Sequence, residues 1–198
     1  MIKNIIFDLG GVCLSDHWAY TQRLEFSQHF HLDPEKTELY HRKHAEAINR
    51  GVLSQEKYFY GLFLDQGGLA LVSEAIQYLQ DKNQAYDEVL TFIQNLKGKF
   101  MLFALTNEIK EAGEYRIKKF ELLNYFQSVY VSGSIGFSKP NPLAYLYVLQ
   151  ENNLDPTETI YVDNQENNLV PAKQLGMTTI HFTDFVCMQE ILASLGVY

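Results

Sequence analysis

The sequence predicts an α/β protein: a doubly wound parallel sheet with a block of helices inserted after its first strand. Three observations predict it. Short β-branched or aromatic runs recur five times along the chain, helical patterns separate the later ones, and the long interval after the first run carries helical patterns alone. Strands that alternate with helices of these lengths pair in parallel through right-handed crossovers.

The elements follow in order. Residues 3–8 form a continuous apolar run of the kind that fits a strand covered on both faces. From 15 to 86 no strand pattern occurs, and four helices are predicted over 17–30, 34–50, 54–66 and 69–81. Asp33 and Pro34 make an N-cap and N1 pair, Gly51 ends the second helix, and Ser54 with Glu56 starts the third. The stretch 87–97 repeats Val89, Leu90, Ile93 and Leu96 at helical spacing and stops at Gly98. Strands are predicted at 100–105 and 128–131. Asn141 then offers an N-cap, with Pro142 at N1, to a helix carrying Leu143, Leu146 and Leu149. A strand at 159–162, a helix at 166–175 closed by Gly176, a strand at 178–182 and a helix at 185–195 complete the pattern. Residues 1–14 and 87–198 thus form a Rossmann-like core, and 15–86 form the insertion.

Composition narrows the function. The chain has 198 residues, 46% hydrophobic and 20% charged, enough to bury a real core. Its formal net charge of −8 argues against a nucleic-acid surface, which needs a basic stripe to neutralise phosphates. Only Cys13 and Cys187 occur, so no disulfide framework is expected. No apolar run approaches the roughly 20 residues that cross a bilayer, and no signal-peptide core precedes the first strand. A cytoplasmic protein with no membrane partner is expected; the sequence gives no oligomeric state.

In an open parallel sheet, ligands bind outside the carboxyl ends of the strands. The residues there are Asp8, the pair Thr106-Asn107, Lys139 in the loop after the third strand, and the pair Asp163-Asn164. A lone carboxylate delivered to a glycine-rich loop presents a nucleophile or a metal ligand. Asp16 and His17 lie where the chain enters the insertion, and a solvated helix start is the simpler reading of both. His29, His31, His41 and His44 do not repeat on one helix face with a carboxylate, and read as surface or structural residues.

Four motifs, in this order and each at a strand end, resemble those of the haloacid dehalogenase superfamily of phosphohydrolases. They are Phe7-Asp8-Leu9-Gly10-Gly11-Val12, Thr106-Asn107, Lys139-Pro140-Asn141-Pro142, and Tyr161-Val162-Asp163-Asn164 with Asn168 and Gly176 following. The resemblance spans the chain and implies that the insertion is a small helical cap. It implies Asp8 as a nucleophile that takes the phosphoryl group, and Mg²⁺ held by Asp8, Asp163 and the Gly10 carbonyl. Thr106, the amide of Asn107 and the amides around Gly10 and Gly11 would bind phosphoryl oxygens, with Lys139 as the compensating cation. The implied substrate is a small phosphorylated metabolite.

The sequence departs from that pattern at two positions. Most phosphatases of the superfamily carry a second Asp two residues after the nucleophile, as acid and base; here it is Gly10. Such help is worth about 10²–10⁴-fold, and the loss shrinks when the leaving group is good, as in a sugar 1-phosphate. Asn164 stands where a further Asp is frequent, and an amide brings oxygen without charge. Together they leave a second reading, a catalytically impaired phosphate-binding or regulatory protein. Dehalogenation ranks below both, because that branch abandons the acidic metal ligands and Asp163 is kept.

Overall fold

The computed structural model describes residues 1–197. Five parallel strands, β1 (Asn4–Phe7), β2 (Met101–Thr106), β3 (Ser128–Val131), β4 (Thr159–Asp163) and β5 (Thr178–His181), form one sheet in the order β3-β2-β1-β4-β5. β1 is central: Phe7 pairs with Ala104 on one side and Val162 on the other. The next residue, Asp8, therefore leaves the sheet between the ends of β2 and β4.

Period-two alternation divides the strands between two apolar layers. Ile5, Phe7, Leu102, Ala104, Ile160 and Val162 pack with Ile93 of α5 (Asp87–Leu96) and Leu192 of α10 (Phe185–Ser194). Ile6, Phe103, Leu105 and Tyr161 meet Tyr145 and Val148 of α8 (Pro142–Glu151) and Ala172 of α9 (Glu166–Gln174). Both faces are covered, which is why these strands read as unbroken apolar runs.

Between β1 and α5 lie α1 (Tyr20–His29), α2 (Pro34–Asn49), α3 (Gln55–Asp65) and α4 (Val72–Asp81). Asp33 caps α2 by accepting from the amides of Glu35 and Lys36, and Ser54 caps α3 through Lys57 N–H. These helices have an aromatic core of Phe26, Tyr58, Phe59 and Phe63, with Trp18 edge-on to Phe26 at 5.0 Å. Ile109 and Ala112, at the start of α6 (Lys110–Lys119), join the same cluster and weld it to the sheet domain. The chain enters and leaves the insertion side by side: Ser15 N–H donates to the Gln84 carbonyl, and Tyr86 N–H to the Cys13 carbonyl, both at 2.9 Å.

Two of the expected helices start late. α1 begins at Tyr20 rather than at 17, because Ala19 is still extended and has no capping side chain. α4 begins at Val72 rather than at 69, after the Gly67-Gly68 turn. α6 and the one-turn α7 (Ser132–Ile135) have no apolar period in the sequence to mark their extent. α6 shows no apolar stripe because it buries Ala112, Gly113 and Arg116. A Cβ on Gly113 would come within 2.6 Å of the Val131 side chain, so the helix approaches β3 through a glycine.

Candidate active site

Lys139 joins the strand ends. Its Nζ lies 2.9 Å from Asp8 Oδ1 and 2.8 Å from Asp163 Oδ2, and donates to the Leu105 carbonyl at 3.0 Å. All three charged side chains are buried. The lysine is placed by Asn107, whose Oδ1 accepts from Lys139 N–H and whose Nδ2 donates to the Lys139 carbonyl, each at 2.7 Å. The Asn107 side chain is therefore a clamp, and its backbone amide is the part left free among the described residues.

Asp163 is the most tightly held group. Oδ1 accepts from Gln165 N–H at 2.8 Å, Asn168 Nδ2 reaches both oxygens at 3.1 Å, and the Tyr161 hydroxyl donates to Oδ2 beside Lys139. Its side chain is wholly buried and lies outside the cavity wall, where Asn164 stands instead. Asp8 is less committed. Leu9 N–H and Lys139 both engage Oδ1, leaving Oδ2 without a donor among the described residues.

The glycine loop differs from the expectation. Gly11 N–H donates to the Leu14 carbonyl at 2.8 Å, so this amide is not free for phosphate. Gly11 serves the turn: its φ is +74°, and a Cβ there would fall 2.1 Å from Asn164 Nδ2. Gly10 keeps both its N–H and its carbonyl free of partners among the described residues. Thr106, the last residue of β2, is buried at the cavity with its hydroxyl likewise unpaired.

Burial raises the Asp8 carboxyl to about 6; the Lys139 ammonium opposes that and the Asp163 charge adds to it. Burial alone would pull Lys139 down, but the two carboxylates outweigh it and the net shift is upward, so the cation persists. Burial and then the Asp8 charge push the Cys13 thiol well above its ordinary value, which makes it inert.

Above the strand ends is a cavity of about 220 Å³, walled by Asp8, Gly10, Thr106, Asn107, Lys139 and Asn164 on the sheet side. Its opposite wall was not legible in the sequence. Asp16, His17, Trp18, His41, Asn49, Glu108 and Arg116 all line it. Arg116 is fully buried, with Nη1 on Glu108 Oε1 at 2.9 Å and Nη2 on the Ser15 carbonyl at 2.6 Å. His17 is buried rather than solvated, and neither ring nitrogen has a partner in bonding geometry. Burial lowers its pKa, with Glu108 opposing and Arg116 adding to the shift. Burial raises the Asp16 carboxyl, against the pull of Arg116. A larger cavity of about 550 Å³ between α1 and α2 contains none of the strand-end residues.

The parallel sheet thus gathers a carboxylate, a buried lysine and a free hydroxyl at one end. The chain belongs to the haloacid dehalogenase-like hydrolase family, whose model matches residues 5–182. It is 24% identical over 188 residues to a D-ribitol-5-phosphate phosphatase of Bacteroides thetaiotaomicron, covering 90% of this chain and 91% of that one. A phosphorylated carbohydrates phosphatase of Thermotoga maritima is 22% identical over 201 residues, covering 91% and 84%. Among solved structures, a HAD family enzyme of B. thetaiotaomicron in complex with magnesium and inorganic phosphate superposes with a TM-score of 0.79 at 22% identity, over 95% of this chain and 99% of that one. Among the described residues no helix is long and apolar enough to cross a membrane.

Proposed function

We propose that this protein is a Mg²⁺-dependent phosphatase of a small phosphorylated metabolite, with residues 15–86 as a cap over the site. One observation carries the reading: Asp8 keeps one carboxylate oxygen free, at the mouth of a cavity that also presents the unpaired Thr106 hydroxyl and the Lys139 cation. The relatives' activities toward phosphorylated polyols and carbohydrates support the substrate class.

Asp8 attacks phosphorus through its free oxygen and becomes an aspartyl phosphate, so one hard displacement becomes two easier ones. Thr106 Oγ1 and the free amides of Gly10 and Asn107 hold the phosphoryl oxygens. Lys139 offsets the charge of Asp8 and phosphate while Asn107 keeps it in register. The residues fit a hard divalent cation: the Gly10 carbonyl is an oxygen without a donor, Asn164 adds an amide on the wall, and Asp8, whose Oδ2 is the attacking oxygen, would offer Oδ1 beside its Leu9 and Lys139 donors. Asp163 contributes the second negative charge; its oxygens already serve Lys139, Tyr161, Asn168 and Gln165, so it takes the cation directly only by releasing one of them. When bound, Mg²⁺ supplies charge neutralisation between Asp8 and the incoming dianion. A sugar 1-phosphate, whose leaving group needs little protonation, fits the empty position at Gly10.

The test is turnover of aryl and sugar phosphates with Mg²⁺ and with a chelator. Expected are metal-dependent release of phosphate and its abolition in Asp8→Asn. Metal-independent turnover, or turnover that survives Asp8→Asn, would overturn the reading. Phosphate that raises the melting temperature of a protein that turns nothing over would instead support the binding-protein alternative.

A further inference from the structure

Position 10 has no side chain, yet a carboxylate stands beside it. A Cβ built on Gly10 would lie 3.3 Å from Asp16 Oδ1, and one on Gly11 3.4 Å from the same oxygen. Asp16 lines the cavity that Asp8, Thr106 and Lys139 line, and its side chain has no hydrogen-bond or ion-pair partner among the described residues.

The backbone that carries it is pinned. Arg116 holds the Ser15 carbonyl, Ser15 N–H donates to the Gln84 carbonyl, and Gln84 N–H donates to Ser15 Oγ at 3.0 Å. The other candidates in the cavity are engaged or unsuited. Glu108 is bound to Arg116, the His41 ring meets the Tyr58 hydroxyl at 3.1 Å, and His17 lies sunk in the wall. An unpaired acid on a fixed backbone, in the nucleophile's own cavity, has the reach that proton transfer to a leaving oxygen requires.

We infer that Asp16 is the acid and base of this site, reaching from the insertion into the space that the missing side chain at position 10 leaves. The inference rests on the phosphatase reading above. In the first step Asp8 Oδ2 forms a bond to phosphorus as the bond from phosphorus to the substrate oxygen breaks. Asp16 gives its proton to that oxygen, so an alcohol leaves and Asp16 becomes a carboxylate. In the second step water attacks the aspartyl phosphate, Asp16 takes the water proton, and the bond from phosphorus to Asp8 breaks. Phosphate, the Asp8 carboxylate and protonated Asp16 are returned.

The experiment compares leaving groups in the full-length protein with Mg²⁺, using p-nitrophenyl phosphate and phenyl phosphate. Asp16→Asn keeps shape and removes the proton. We expect phenyl phosphate turnover to fall about 10²–10⁴-fold. p-Nitrophenyl phosphate, whose phenolate leaves unprotonated, should still give a fast burst of one equivalent, followed by slow dephosphorylation. Gly10→Asp in the Asp16→Asn background moves the acid to the adjoining position, whose backbone is outside the left-handed region, and should recover phenyl phosphate turnover. Loss of the p-nitrophenyl phosphate burst along with phenyl phosphate turnover, no loss for either substrate, or a double variant no better than Asp16→Asn overturns the inference while Asp8→Asn still reports on the phosphatase reading. If the unmodified protein turns over neither substrate, that reading fails, and the inference with it.

Discussion

The two walls of the cavity are built on opposite principles. On the sheet side the charged side chains are held, Lys139 by three acceptors and Asp163 by four donors, with both ends of the Asn107 side-chain amide used, while Asp8 Oδ2, the Thr106 hydroxyl and the Gly10 and Asn107 backbone amides stay open among the described residues. On the opposite wall Asp16 and both His17 nitrogens of the insertion lack partners among the described residues, and so do Glu108 Oε2 and Arg116 Nε of the sheet domain beside them. The sheet wall is preorganised, holding charge in one geometry before any ligand arrives. The opposite wall keeps donors and acceptors in reserve. The two walls are joined through the Arg116 contact to Ser15.

The largest expected effect breaks the sheet wall. Lys139→Met leaves the Asp8 and Asp163 carboxylates facing each other without a cation. Removing one partner of a buried ionic group costs about 3–5 kcal/mol, read as a shift in the urea midpoint of metal-free protein. Turnover is lost as well, and saturating Mg²⁺ recovers part of the stability but not the rate. A stability change no larger than that of an exposed lysine would show that this wall is not held by charge.

A smaller effect addresses the insertion wall. Tyr58 is buried in α3, where its hydroxyl accepts from Trp18 Nε1 at 3.1 Å and meets His41 Nδ1 at 3.1 Å. Tyr58→Phe strands both partners and is expected to cost about 1–3 kcal/mol. Trp18 and His41 line the cavity while Tyr58 does not, so KM should rise with kcat unchanged. A fall in kcat with constant KM would mean that Trp18 and His41 take part in the chemical step.

The same division explains what the sequence disclosed. Asp8, Thr106, Lys139 and Asp163 could be named because a strand run followed by a polar residue marks the end of a parallel strand, and one rule then brings four such ends together. β1, β2 and β4 were legible because burial on both faces leaves a continuous apolar signal, whereas the half-buried edge strands β3 and β5 showed through their β-branched and aromatic residues. The extent of α6 was not legible because its buried face is made of Ala112, Gly113 and Arg116, which carry no apolar period. The Arg116 contact to Ser15 joins residues 101 positions apart, and no local pattern announces such a pair. Asp16 and His17 read as solvated because a polar residue at a helix start usually is, and tertiary packing overrode that preference. Gly11 looked like a phosphate-binding amide, but the turn it permits consumes its N–H on Leu14. The depth of Asp163 was not legible, because sequence marks the strand end and not how far its side chain is buried.

The smallest expected effect concerns pH and the insertion alone. Burial lowers His41 from its ordinary value of 6.5 to about 4, with Arg23 of α1 adding to the shift and Glu38 of α2 opposing it. Tyr58 of α3 faces the same ring as a neutral partner. Between those two values the unfolded chain binds a proton that the folded protein refuses. Unfolding free energy therefore rises with pH through this window and is lost as pH falls from about 6.5 toward 4. Asp8 works in the opposite sense: its raised carboxyl holds a proton in the folded state that the unfolded chain releases, favouring the fold as pH falls. The two trends overlap in the intact protein, and a substitution separates them. His41→Gln keeps a polar partner for Tyr58 and deletes the titration. Its urea midpoint should lose less between pH 7 and pH 5 than that of the unmodified protein, by the equivalent of about 1–2 kcal/mol. Identical pH slopes in the two proteins would mean that the His41 ring is solvated in the folded state, and that the insertion wall is open to water where its packing around Trp18 and Tyr58 indicates that it is closed.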